Sequence, residues 1–232
     1  MKKIWLVFLA TTFTALVANA QTADEIVNKY VDARGGAEKL KALQSMVMEG
    51  SMSQQGVDVV MKYTSVHNKG TRVDFTAMGQ SGYNIISTTE GWAFNPFGGG
   101  EVQAIEGAQL KEAQAGLDLQ GPLFDYKAKG HTVEYQGKES IDGKDYFKLK
   151  LTRAGGKSTI YYLNSDYLLF RSVSTNTTDN GDVEVVTEYS DYRKLPNGYT
   201  VAFIRKSGAN EITFDKIDIN PTVDEKVFKP NN

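Results

Sequence analysis

The groups able to do chemistry are few in this chain of 232 residues, which has two histidines, His67 and His131, and no cysteine. Without cysteine there are no disulfides, thiolate nucleophiles or Cys-based zinc sites. Two imidazoles so far apart form neither a His-x-x-x-His metal spacing nor a histidine-based triad, and both read as polar residues at strand edges. Gly98-Gly99-Gly100 lacks the Lys-Ser/Thr that a phosphate loop needs and has no βαβ pattern around it. The 28 acids fall mostly in turns or on the polar parity of strands, where a solvated face is the default. No nucleophile and base come together, so a hydrolase is disfavoured. No catalytic residue, metal or cofactor is expected.

Methionine points instead to binding. Five of the six methionines lie between Met46 and Met78, and Met46, Met48 and Met52 share one parity of a single strand, so they project to one face. Val59, Met61 and Tyr63 share a parity of the next segment. Unbranched, polarisable thioethers suit a surface that adapts to varied apolar shapes, whereas a fixed core favours Leu, Ile and Val. Met-lined strands also serve as gap-filling core, and methionine alone leaves the two readings even. Aromatics tip the balance, because Trp92 and Phe94 share a parity and stand, with Phe97, just before a helical insert that could cover them. The expected apolar site comprises Met46, Met48, Met52, Val59, Met61, Tyr63, Phe75, Met78, Trp92, Phe94 and Phe97, faced by Leu110, Leu117 and Phe124.

Positioning these residues falls to a run of strands behind a helical lead-in. Thr22 and Glu25 form a capping box, Ile26, Val27, Tyr30 and Val31 make one helical face, and Gly35-Gly36 ends it. A second short helix is expected from Ala37 to Leu43. From Met46 the period changes to two, giving Met46 to Ser53, Val57 to Val66, Arg72 to Met78, Tyr83 to Thr88 and Trp92 to Phe97. After an interruption come Thr132 to Gln136, Tyr146 to Thr152, Ser158 to Leu163, Leu168 to Thr175, Val183 to Tyr192, Tyr199 to Lys206 and Glu211 to Ile219. Turns such as Asp142-Gly143, Gly155-Gly156, Asn180-Gly181 and Asn197-Gly198 join neighbours antiparallel.

The interruption, Gly107 to Asp118, carries Leu110, Ala113 and Leu117 at helical spacing. Gly98 to Gly100 before it reads as a hinge, and Gly121-Pro122 ends it. The fold class is therefore mainly β (α+β). One large curved antiparallel sheet of about eleven strands forms an incomplete barrel, because open twisted sheets seldom exceed ~10 strands flat. The N-terminal helix and the mid-chain insert cover it.

Residues 1 to 20 read as a cleavable export signal, with Lys2-Lys3, an apolar run from Ile4 to Val17 and Ala18-Asn19-Ala20 before the cut. Gln21 follows rather than a lipid-accepting cysteine, so a protein released into the periplasm is expected. One domain, 21 to 232, remains, with no linker-like stretch inside it. The formal charge of −2 becomes more negative once both leader lysines leave, and the other basic residues are scattered. Nothing recruits a nucleic acid.

Three stretches resemble the LolA-like family of periplasmic lipoprotein carriers, which serve outer-membrane lipoprotein sorting, in its divergent Bacteroidota form. The first is Ile85-Ile86-Ser87-Thr88-Thr89-Glu90-Gly91-Trp92-Ala93-Phe94-Asn95-Pro96-Phe97, similar to that family's aromatic-x-aromatic-Asn-Pro strand ending before its lid helices. The second is Ala23-Asp24-Glu25-Ile26-Val27 with Gly35-Gly36 and Leu40, and the third runs from Ile219-Asn220-Pro221 through Val223-Asp224 to Val227-Phe228.

The resemblance implies an incomplete barrel whose helices lid an apolar cavity for lipoprotein acyl chains or another lipid. It further implies an inner-membrane donor, an outer-membrane acceptor, only peripheral membrane contact and a monomer. In that family a basic residue holds the lid by bonding its backbone. Lys69 stands about where an arginine would be, with Arg72 three residues on, and a lysine cannot make the forked contact of an arginine. The alternative is a non-enzymatic interaction or sensor module of the cell envelope built on the same half-barrel.

Overall fold

Helix α1, Ala23–Ala33, starts where the capping box places it. The Glu25 backbone N–H donates to Thr22 Oγ1 at 3.2 Å, and the Thr22 N–H donates to Glu25 Oε2 at 3.0 Å. The computed structural model describes residues 22–178 and 181–230, so the export signal and Asn180 lie outside the described residues. Helix α2 is shorter than expected, Ala37–Lys41. Both helices bury one stripe, Ile26, Val27, Tyr30 and Val31 from α1 and Leu40 from α2.

The strands follow as β1 Ser45–Gln54, β2 Val57–Val66, β3 Gly70–Ala77, β4 Gln80–Ser87, β5 Gly91–Phe94 and β6 Val102–Ile105. Helix α3, Gly107–Gln114, and a 3-10 turn, Ala115–Leu117, interrupt them. The second series is β7 Thr132–Ile141, β8 Lys144–Thr152, β9 Ser158–Leu163, β10 Leu169–Thr178, β11 Gly181–Lys194, β12 Thr200–Ser207 and β13 Asn210–Ile219, followed by a 3-10 turn, Glu225–Phe228. Every paired neighbour is antiparallel, and hairpin turns set the pairing. At Asp142-Gly143 both residues have positive φ, 51° and 75°, which matches the right-handed twist of the flanking strands.

All strands form one sheet in the order β6-β5-β4-β3-β2-β1-β13-β12-β11-β10-β9-β8-β7. Its ends do not pair, so the barrel is incomplete. Among the described residues there are thirteen strands rather than about eleven. β6 escaped the period-two reading because it has four residues, three of them exposed, beyond a glycine-rich turn. The triple glycine is that β5–β6 turn and not a hinge to the insert. Gly98 and Gly100 N–H groups donate to the Asn95 carbonyl at 3.1 and 3.3 Å.

Two arms meet at a seam, where β1 pairs with β13 although they lie at opposite ends of the series. The main core lies on the inner face of the second arm. There Leu149, Leu151, Tyr161 and Leu163 pack under α1 and α2 together with Leu123 and Tyr126. Among the described residues no helix is long and apolar enough to cross a membrane.

Candidate ligand-binding site

The helices fill only part of the hollow, and a cavity of about 620 Å³ remains between the two arms. Sites for small apolar ligands typically measure ~300–1,000 Å³. Met46 and Met48 of β1, Tyr63 of β2 and Val73 of β3 line one wall, joined across the seam by Ile217 and Ile219. Register explains this wall, because Met48 lies opposite Tyr63, Tyr63 opposite Val73, and Met48 opposite Ile217. The facing wall from β9 to β12 is more polar and includes Tyr161, Tyr189, Tyr192 and Arg205. Burial pushes the Tyr161 hydroxyl up to about 12, against the opposing pull of Arg153, so it stays neutral in ordinary buffers. Burial raises Tyr192 as well.

The cover is the stretch from Glu112 to Leu123, and it is tied on three sides. From the β2–β3 turn, the Asn68 N–H donates to the Leu117 carbonyl at 2.9 Å, and His67 Nδ1 accepts the Leu119 N–H at 3.2 Å. Lys129 Nζ reaches Asp118 at 2.6 Å and the Gly121 carbonyl at 2.9 Å. At the end of α1, Arg34 Nη1 donates to the Gln120 carbonyl at 3.1 Å and to the Tyr30 hydroxyl at 3.1 Å. The arginine that bonds the cover's backbone is therefore Arg34. Replacing it with alanine removes hydrogen bonds from a charged donor, worth about 1.5–3 kcal/mol each. Hydrogen exchange at Asn68 and Leu119 should accelerate accordingly, while exchange in β8 and β9 stays unchanged.

Among the described residues, the two basic residues expected to close the lid have partners in the C-terminal segment. Lys69 forms an ion pair with Glu225 at 2.5 Å. Arg72 donates to the Val227 carbonyl at 3.1 Å and to Asp74 at 2.8 Å, with its guanidinium 4.6 Å from the Tyr83 ring. Both residues hold the C-terminal segment against the outer face. The physical reason is parity: Arg72 pairs with Ile85, and Ile85 faces outward.

The same rule relocates the aromatics. Trp92 lies opposite Ile85, and Phe94 lies opposite Tyr83 with their rings stacked at 5.6 Å. Both therefore pack on the outer face with Val223, Val227 and Phe228, not beside the cover. Gly91 and Ala93 take the inner positions, and Leu110 of α3 sits so close to Gly91 that a Cβ there would lie 2.9 Å from it.

Met52, Val59, Met61 and Phe75 share the inner face by register but stand outside the cavity lining. Met78 and Phe97 are exposed in hairpin turns at 69% and 47%. Leu117 is buried within the cover, and Phe124 packs against the main core. Leu123, next to Phe124 in the chain, lines the cavity although it is not among the residues expected from the sequence.

His67 connects the cover to acidity. Burial holds its pKa below the usual 6.5, with Lys129 assisting and Asp118, 3.6 Å away, opposing. His131 is depressed in the same direction, first by burial and then by Arg153 and Lys129, and its Nδ1 accepts the Ala154 N–H at 3.3 Å. Because each folded value lies below the unfolded one, the unfolded chain takes up protons first as pH falls. The stabilisation is complete above about 6.5 and is lost as pH drops towards the folded values. The thermal midpoint should fall between about pH 7 and pH 5.5, and by less in His67→Gln.

Among the described residues no group of three His, Asp or Glu side chains stands ready to hold a metal. No family model matches the sequence, and no curated relative does. Solved structures do match. A DUF1329 family protein from Desulfovibrio piger superposes with a TM-score of 0.59 at 13% identity, over 90% of this chain and 98% of its own. A LolA superfamily protein from Nitrosomonas europaea gives 0.54 at 14%, over 91% and 99%. The fold is LolA-like. An outer membrane lipoprotein-sorting protein domain from Vibrio parahaemolyticus also aligns, with a TM-score of 0.48 at 14% identity over 87% and 97%. In this chain the cover is held by Arg34, and the C-terminal segment is clasped by Lys69 and Arg72.

Proposed function

We propose that this protein is a non-enzymatic periplasmic carrier or receptor that shields hydrocarbon chains, those of a lipoprotein or of another lipid, in the hollow under its cover. The observation that carries this reading is the cavity of about 620 Å³ with Met46, Met48, Val73 and the seam isoleucines on one wall. Each methylene moved out of water contributes ~0.8 kcal/mol, so a dozen supply on the order of 10 kcal/mol. A lipid crosses an aqueous compartment only when its chains are covered in this way. Release needs a loose fit, and unbranched thioethers provide one because they repack at little cost. The LolA superfamily likeness supports the reading through the fold. Donor and acceptor proteins at the two membranes and a monomeric state belong to the same proposal.

The test is mass spectrometry of solvent extracts from protein purified out of the periplasm without detergent. A stoichiometric lipid in the extract is the expected result. Lipid-free protein that also fails to take up acyl chains from vesicles would leave only the interaction-module alternative.

A further inference from the structure

The apolar wall is one side of the cavity, and Arg205 lies on the facing, more polar side. Among the described residues its buried Nε has no hydrogen-bond partner. The guanidinium instead lies between two rings, 5.9 Å from Tyr189 and 5.7 Å from Phe214. Arg205 is half-buried, and a buried donor left unpaired costs about 1–3 kcal/mol, a cost that an opposing charge with hydrogen bonds to the guanidinium would offset. None of the acids around the cavity is available to supply one. Asp118 is taken by Lys129 at 2.6 Å, and Glu112 is paired with Lys157. Arg34, another arginine of the lining, is spent on the Gln120 carbonyl and Tyr30. Arg153 adds a further positive charge to the lining. The hollow thus pairs an apolar wall with uncompensated positive charge.

Phe214 joins these two parts. Its ring contacts the Arg205 guanidinium on one side and meets the Tyr63 ring edge-on at 5.7 Å, and it packs in one cluster with Met48 and Ile217. A molecule with a tail on the methionine wall would therefore have its polar end near Arg205. We infer that the cavity selects an anionic amphiphile, with Arg205 receiving a carboxylate or phosphate oxygen of the head group and the chain lying along Met48 and Val73. Charged N–H donors to an oxyanion are short and about twice as strong as neutral ones. This inference rests on the carrier reading and narrows its ligand to one charge class.

The experiment compares a fluorescent long-chain fatty acid with its uncharged methyl ester, titrated into the full chain, with inorganic phosphate as competitor. The wild type is expected to bind the acid at least tenfold more tightly than the ester. Arg205→Gln should bring the acid down to the ester's affinity and leave the ester unchanged. Because no hydrogen bond of Nε is lost, Arg205→Gln should leave the thermal midpoint of the ligand-free protein nearly unchanged, and Arg205→Met, which keeps an apolar stem against the rings, should behave alike, which separates lost recognition from lost folding. Equal binding of acid and ester by the wild type, or an acid preference that survives Arg205→Gln, would overturn the inference while sparing the carrier. Displacement of the acid by millimolar phosphate alone would overturn it too, since the site would then read a free anion. Binding of neither probe would overturn the carrier reading itself.

Discussion

Alanine in place of Gly50 lowers the thermal midpoint by roughly 6–12 °C, the shift that about 3 kcal/mol produces in a chain of this length. Gly50 sits at the seam, where the register between β1 and β13 shifts so that Glu49 faces Lys216 while Gly50 faces Phe214. A Cβ there would stand 2.2 Å from the Thr213 carbonyl oxygen and 2.8 Å from the Phe214 Cα. Both neighbours are backbone, so no side-chain rotation relieves the clash and the strands must part. This pairing is what joins the two arms into one sheet. Damage should therefore spread to the cavity wall, where Met48 and Ile217 face each other across the same seam. Gly155→Ala is the control, because a Cβ at Gly155 meets nothing within 4 Å and its φ is ordinary. Calorimetry that finds the two variants unfolding together would refute the seam argument.

Local signals in the sequence carried the elements and the wall but not the sidedness of the sheet. Thr22, Glu25 and the α1 stripe were legible because a capping box and a 3.6-residue period lie within one element. Met46 and Met48 were legible as a pair because parity is a property of a single strand. Trp92 and Phe94 were just as legible as a pair, yet parity does not say which face of the sheet a pair occupies. That is fixed by register through Ile85 and Arg72 and by what covers the outer face. The covering segment is the C-terminal turn around Phe228, more than a hundred residues away in the chain. Lys69 and Arg72 were drawn to that same distant segment, which no spacing within the β2–β3 region announces. Arg34 had a signal, a cation just before Gly35-Gly36 at a helix end, but its partner Gln120 is again non-local.

If the protein carries acyl chains as proposed, a tryptophan at Val73 should reduce their uptake by roughly a hundredfold. Val73 is half-buried, lines the cavity and lies opposite Tyr63, so the larger ring has the hollow in front of it and backbone behind. The indole takes room that about four methylenes would otherwise occupy. At ~0.8 kcal/mol per methylene this forfeits ~3 kcal/mol of binding, or about two decades of affinity. No charge is buried and no hydrogen bond is broken, so the fold should persist and its thermal midpoint should hold or rise as empty space is filled. Val60→Trp supplies the contrast, since Val60 is 61% exposed and pairs with Ser51 and Thr76, off the parity of the methionine wall. Uptake should be unchanged there. Measured as transfer of a fluorescent acyl chain from vesicles, a loss in both variants would point to membrane docking rather than the hollow. A loss in neither would mean that the chain never enters it. The discriminating result is a loss confined to Val73, because only the inner face changes while the length, the charge and the cover of the protein stay the same.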